Sequence, residues 1–310
     1  MRILIVGAGA VGGYFGARLA AAGREVTFLL RARRAGQLQR DGLRLVSPHG
    51  DLTVRPRWIE ASRIAQPYDL ILLGVKAYAL DGAMEDFAAA VGPDTMILPL
   101  LNGMRHIERL VARFGEKPVL GGVCRVVAEL RDDGRIVQMA PMQSLAYGER
   151  GGGISDRIRA VDAALRGAGF ATVLSDDIEQ AMWDKWAFLA SLAGICCLFG
   201  GSVGQVVSVP DGARAARALC DEALSVAAAH GFPLAPAVAE QAIAGLTDAG
   251  STITASMYRD RQAGGPVEVE QILGDLVERA DAQRIDVPLL RAAAVSLRVY
   301  EVQRIRQEGR

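Results

Sequence analysis

Apolar positions in the first half of the chain fall into short, nearly continuous runs, separated by stretches in which they recur every three to four residues. Residues 2–6 form the first run and close at Gly7; a run this short, apolar on both faces, predicts a buried parallel strand. Residues 14–22 have helical period and stop at Gly23, and residues 25–30 are again a continuous run. Further strands are predicted at 70–75, 96–100, 119–127, 136–139 and 145–147, with helices at 80–91 and 106–114. Strands alternating with helices predict a doubly wound parallel sheet.

A helix at 155–168 and a strand at 170–174 complete this region, after which the pattern changes. Helical period dominates from residue 175 onward, at 177–198, 213–230, 236–246, 251–260, 266–283 and 288–307. The expected organisation is an α/β domain over residues 1–172 and an all-α domain over 173–310. Residues 187–199 form the longest apolar run, about 13 residues where spanning a bilayer takes roughly 20, so it reads as a buried helix.

Composition removes several classes of function. The 310 residues carry 35 Lys+Arg against 35 Asp+Glu, which leaves no basic footprint for nucleic acid. Cys124, Cys196, Cys197 and Cys220 have neither metal-ligand nor disulfide spacing and read as reduced core thiols. His49, His106 and His230 are scattered, which speaks against a His-based metal site or a Ser/His/Asp hydrolase. Arg2 and the apolar residues after it resemble the start of a secretory signal, but Gly7, Gly9, Gly12 and Gly13 interrupt it, so a cytoplasmic protein is expected. Apolar helical faces such as 213–229 leave room for a homodimer.

The candidate chemistry begins at the turn after the first strand, GAGAVG from Gly7 through Gly9, Ala10 and Val11 to Gly12. A GxGxxG match alone is weak, but here it closes a strand and opens a helix, the context that binds a dinucleotide. Gly7 permits the tight turn, Gly9 lets backbone approach a pyrophosphate, and Gly12 lets helix pack on strand. The expected fold is therefore a Rossmann-type domain followed by helices. At the end of the second strand, where an NAD site usually places a carboxylate, the chain has Arg31, then Arg33 and Arg34. Guanidinium clasps a phosphate bidentately, so NADP(H) is the expected cofactor.

Two scarcities mark further positions. All but three basic residues are arginine, the exceptions being Lys76, Lys117 and Lys185, and Asn102 is the only asparagine. Lys76 in GVKAY and Asn102 in LNGM follow predicted strands, where ligands of open α/β sheets gather. Lys185 lies in the apolar stretch WDKWAFLASLAG, where desolvation favours the neutral amine and suits a general acid. Glu268 follows Gly265 and Pro266 at the edge of a stripe formed by Val269, Ile272, Leu273 and Leu276. A solvated first-turn carboxylate or a partner for a cation such as Lys185 both fit that placement.

Over nearly its whole length the chain resembles the ketopantoate reductase family. The motifs that carry this are GAGAVGG, GREVTFLLR, GVKAY, LNGM, MWDKWAF, TASMYRD around Ser256, and Glu268 followed by Gly274. The resemblance implies NADPH-dependent reduction of a 2-oxo acid by a two-domain enzyme whose cleft closes on its substrate. On that reading Arg31 meets the 2′-phosphate, Lys76 and Asn102 sit by cofactor and substrate, and Lys185 donates the proton. Ser256 would hold the substrate carboxylate and Glu268 would be a polar partner near substrate and ribose.

The chain departs from the family pattern at the substrate side. Leu189 and Ala193 stand one and two turns after Lys185, and Ile253 three residues before Ser256, where family members often carry asparagine. An unpaired buried substrate hydroxyl costs roughly 1 to 3 kcal/mol, so the substrate expected is a more apolar 2-oxo acid or related carbonyl. The alternatives are a 3-hydroxy acid or polyol dehydrogenase sharing the architecture, or a regulatory protein that binds NADP without turnover.

Overall fold

A computed structural model describes residues 1–308 and resolves the chain into two compact units. The first comprises residues 1–102 and 106–179, the second residues 103–105 and 180–310. The junction expected after residue 172 falls within the last strand of the first unit, and the division comes after Glu179.

In the first unit five strands form a parallel sheet: β1 (Ile3–Val6), β2 (Val26–Leu29), β5 (Arg57–Ile59), β6 (Leu70–Leu73) and β7 (Met96–Pro99), in the order β5-β2-β1-β6-β7. Every residue of β1, β6 and β7 is buried, as strands covered on both faces require. Val6 pairs with Leu29 on one side and Leu73 on the other. The three strands therefore end in register, and Gly7, Leu30 and Gly74 leave the sheet along one edge. The third strand is two residues shorter than its apolar run predicts, because Gly74 and Val75 already belong to the turn.

The parallel sheet does not absorb all the strands, and a second, mixed sheet is present. It holds β3 (Leu43–Val46), β4 (Leu52–Val54), β8 (Gly121–Leu130), β9 (Ile136–Gly148) and β10 (Ala171–Leu174), with β8 and β9 a long antiparallel hairpin. The predicted strands at 136–139 and 145–147 are the two ends of β9. Helix α1 (Ala10–Ala21) packs on both sheets, with Tyr14, Phe15 and Leu19 fully buried. The Arg18 guanidinium donates to the Ser47 hydroxyl at 2.7 Å, and that hydroxyl donates to Oε1 of Gln138 at 2.6 Å. This gives α1 a polar tie to the second sheet.

The second unit is helical, as expected. Its main elements are α6 (Ile178–Phe199), whose first two residues precede the division, α7 (Val203–Val207), α8 (Gly212–Ala229), α9 (Pro236–Leu246), α10 (Ser256–Gln262), α11 (Asp275–Ala282) and α12 (Pro288–Glu308). By length and composition α6 could cross a bilayer, but 67% of its most apolar window is buried inside the protein, which is the condition of a core helix. The apolar stripe of α8, including Ala216, Leu219, Ala223 and Val226, is likewise buried, so this face is already occupied by the unit's own core. Two helix boundaries differ from the periodicity. Residues 251–255 lie outside any helix, because the Ser251 and Ile253 carbonyls accept from Gly204 and Val203 at the start of α7. Residues 265–268 also precede any helix, which begins with a π turn over Glu270–Gly274 and continues into α11.

Candidate functional site

The edge where β1, β2 and β6 end opens on a cavity of about 1030 Å³ in the first unit. Gly7, with φ +94°, makes the reversal that few side chains tolerate. Gly12 then lies so close to the strands that an added Cβ would stand 2.1 Å from the Gly7 carbonyl oxygen. From the opposite side, a Cβ on Gly74 would fall 2.6 Å from the Gly12 Cα. Gly9 is different: it is the N-cap of α1, its backbone is extended, and a Cβ there would meet nothing within 4 Å. The first turn of α1 carries no capping side chain and no acidic residue. Its amides are thus left for an anion approaching past Gly9.

The arginines after β2 are the start of a helix. Arg31 is the N-cap of α2 (Ala32–Asp41), and Arg33 and Arg34 sit in its first turn, which holds no acidic residue. Cations at the positive end of a helix dipole are unfavourable by about 0.3–1 kcal/mol each. Arg34 reaches back to donate to the Ala8 carbonyl at 3.2 Å and to the Gly134 carbonyl at 3.3 Å, joining the glycine turn to the tip of the β8–β9 hairpin. Burial lowers the pKa of its guanidinium, and its Nη2 is buried without a hydrogen-bond partner. Arg31, Arg33, Arg34 and Arg131 all line the cavity with the glycine turn. Two helix N-termini, a basic wall and an orphaned guanidinium nitrogen fit a ligand bearing several phosphate oxygens.

Of the residues expected at this cofactor site, Gly7, Gly9 and Arg31 line the cavity. Ala10, Val11 and Gly12 belong to α1 behind the turn, where Val11 packs on the core and Gly12 sets the helix against the strand. Lys76 is exposed beyond β6, and Asn102 is half-buried beyond β7; neither lies on the cavity wall. Asp86, from helix α3 (Leu80–Phe87), and Ser62, Arg131 and Asp132 also line it and were not anticipated. They come from loops and a helix far apart in sequence, and no local pattern marks them.

In the helical unit Lys185 is half-buried on α6, and the i, i+4, i+8 spacing places Leu189 and Ala193 on its face. Leu189 is half-buried and Ala193 is only 2% exposed. Glu268 is buried and its carbonyl accepts from Ile272, so it stands at the helix start just before the π turn. Trp186, adjacent to Lys185, is buried and its indole N–H donates to the Ile272 carbonyl at 2.9 Å. That bond joins α6 to the turn that follows Glu268. Ser256 opens α10 and is exposed, and Ile253 lies 49% exposed on the segment before it.

Comparison with known proteins agrees with this architecture. The family model for ketopantoate reductase PanE/ApbA matches residues 3–152, and that for the ketopantoate reductase PanE/ApbA C terminal matches residues 177–301. An uncharacterized oxidoreductase, YkpB, of Bacillus subtilis is 34% identical over 98% of this chain and 100% of its own length. The 2-dehydropantoate 2-reductase of Halobacterium salinarum is 29% identical over 97% of this chain and 99% of its own. Among solved structures, 2-dehydropantoate 2-reductase from Geobacter metallireducens superposes with a TM-score of 0.87 at 28% identity, covering 96% of this chain and 99% of that one. A D-mandelate dehydrogenase solved with NADH and anilino(oxo)acetate shares the fold at a TM-score of 0.87 and 22% identity, over 98% of this chain and 99% of that one. With a parallel-sheet dinucleotide unit, a helical unit, and both family domains matched in order, the chain belongs to the ketopantoate reductase family of oxidoreductases.

Proposed function

We propose that the protein is an NADPH-dependent reductase of a 2-oxo acid whose side chain is more apolar than that of ketopantoate. The single observation that carries this reading is the composition of the face below Lys185, where Leu189 and Ala193 offer no hydrogen bond to a substrate hydroxyl. The phosphorylated cofactor is favoured by the basic start of α2, where Arg31, Arg33 and Arg34 oppose the helix dipole until an anion is present. When bound, the cofactor supplies the hydride. Arg31 holds the 2′-phosphate, the first-turn amides of α1 hold the pyrophosphate, and Lys76 and Asn102 orient cofactor and substrate.

Lys185 polarises the substrate carbonyl and delivers a proton to its oxygen as the alcohol forms, a role general acids perform for a gain of about 10²–10⁴. Ser256 holds the substrate carboxylate, and Glu268 is the polar partner of substrate and ribose. Four buried thiols outside any disulfide favour a reducing compartment, the cytoplasm.

The test is NADPH oxidation with ketopantoate and with its deoxy, purely alkyl analogue. The alkyl compound is expected to have the higher kcat/KM, and a preference for ketopantoate of several hundred-fold would refute the apolar assignment. Lys185→Met is expected to lower kcat at least about 100-fold while NADPH affinity stays constant. If wild type and variant both bind NADPH and neither turns over any 2-oxo acid, the protein is a nucleotide binder and not a reductase.

A further inference from the structure

Arg31 meets another charged side chain inside the cavity. Its Nε and Nη2 donate at 3.1 and 2.9 Å to one oxygen, Oδ2, of Asp86. The contact is shaped by the fold. Gly82, one helical turn before Asp86 on α3, is where the guanidinium lies down on the helix; a Cβ there would come within 3.2 Å of Nη2. Asp86 and Arg31 both line the cavity, with side-chain exposures of 34% and 74%.

We propose that Asp86 is a specificity-determining residue that keeps discrimination between phosphorylated and unphosphorylated dinucleotides low; this rests on the reading of the cavity as a nicotinamide-dinucleotide site. The end of β2 offers arginine where an NAD site usually has a carboxylate, and α3 returns a carboxylate to the same wall. A ribose 2′-hydroxyl can donate to Asp86, as it would to the missing acidic residue. A 2′-phosphate must instead take the guanidinium edge that Asp86 occupies, and it is repelled by the carboxylate as it does so. The exposed pair is weak and readily exchanged. The site can therefore present its cationic half to NADPH and its anionic half to NADH.

Asp86→Asn keeps the shape and removes the charge. It is tested by titrating wild type and variant with NADPH and with NADH, reading Kd from the quenching of protein fluorescence. Removing one negative charge beside a phosphate at a solvated position is expected to tighten NADPH about 3- to 10-fold at low salt, and less at high salt. NADH is expected to stay unchanged or weaken. A Kd ratio that stays within twofold of wild type, or moves toward NADH, overturns the assignment of Asp86. A salt-independent gain for both dinucleotides overturns it as well, since that is the mark of a structural effect. Wild type that binds neither dinucleotide overturns the reading of the cavity itself, and this proposal with it.

Discussion

Gly9 and Gly74 give opposite expectations for the same Gly→Ala change. At Gly9 the backbone has φ −84° and ψ −160°, which any residue adopts, and a methyl group meets nothing within 4 Å. Less chain entropy is lost on folding, so Gly9→Ala should hold stability constant or raise it by about 0.4–1 kcal/mol. That free space is also where a pyrophosphate must come to reach the α1 amides. A methyl there displaces it, and the loss of even one charge-assisted hydrogen bond, about 1.5–3 kcal/mol, weakens NADPH roughly 10- to 150-fold. At Gly74 the methyl lands 2.6 Å from the Gly12 Cα and 2.7 Å from the Gly12 N, both backbone atoms that cannot rotate away. Overpacking of this kind costs about 1–3 kcal/mol or more, a fall in Tm of several degrees. The assay is thermal unfolding with and without NADPH, beside a fluorescence titration. A Gly9→Ala protein that melts like wild type and binds NADPH within twofold of it would refute the approach of the pyrophosphate past Gly9.

Three other expectations concern stability and side-chain accessibility. Trp186→Phe deletes the donor to the Ile272 carbonyl and leaves a void in a side chain's place, which should cost about 2–4 kcal/mol in denaturant melts; an unchanged midpoint would mean that the bond contributes nothing. The carboxyl of Glu149 is held below its ordinary value of 4.5 by Arg157, against the opposing effect of burial. The stability it contributes is therefore present above pH 4.5 and lost as pH falls through its lower folded value, so Glu149→Gln should flatten the acid limb of stability against pH in that window and leave pH 7 cofactor binding unaltered. All four cysteines are buried and outside any disulfide, and burial pushes the thiols of Cys197 and Cys220 up to about 12 and about 11. Ellman's reagent should label none of them rapidly in the native protein at neutral pH and all of them in guanidinium chloride; fast native labelling would contradict this burial.

What was legible in the sequence was local. The β1–turn–α1 unit and the helices α6, α8, α9 and α12 each carry their own periodicity over many residues, and they stand close to where the pattern places them. The strands β3, β4 and β5 escaped because they are three or four residues long with charged or polar positions between the apolar ones, LRLV, LTV and RWI. Their signal lies in pairing, since β3 joins β9 across some ninety residues. Helix α2 escaped for another reason: ARRAGQLQRD buries only Ala35 and Leu38, too little apolar surface to announce a helix. Residues 251–255 erred the other way, their helical period overridden by the need of α7 for carbonyl acceptors. Among the cavity residues, the glycines and Arg31 were readable because a motif fixes their spacing, whereas Asp86 reaches the wall only through tertiary packing.

The weak helical signal of α2 and the exposed positive charge at its start have one physical cause. A helix starting with Arg31, Arg33 and Arg34, without an acidic residue in its first turn, contradicts the local rule that favours anions at that end. A local rule broken without local compensation points to a ligand that supplies the compensation. Asp86 supplies only part of it. It answers Arg31 alone, through a single oxygen, while Arg34 keeps one buried nitrogen unbonded and Arg33 has no ion-pair partner among the described residues. The unmet positive charge sits on the same wall as the uncapped amides of α1. On the function proposed above, a dinucleotide with a pyrophosphate at one end of this wall and a further phosphate at the other would satisfy both, and an unphosphorylated ribose would leave the α2 end to Asp86.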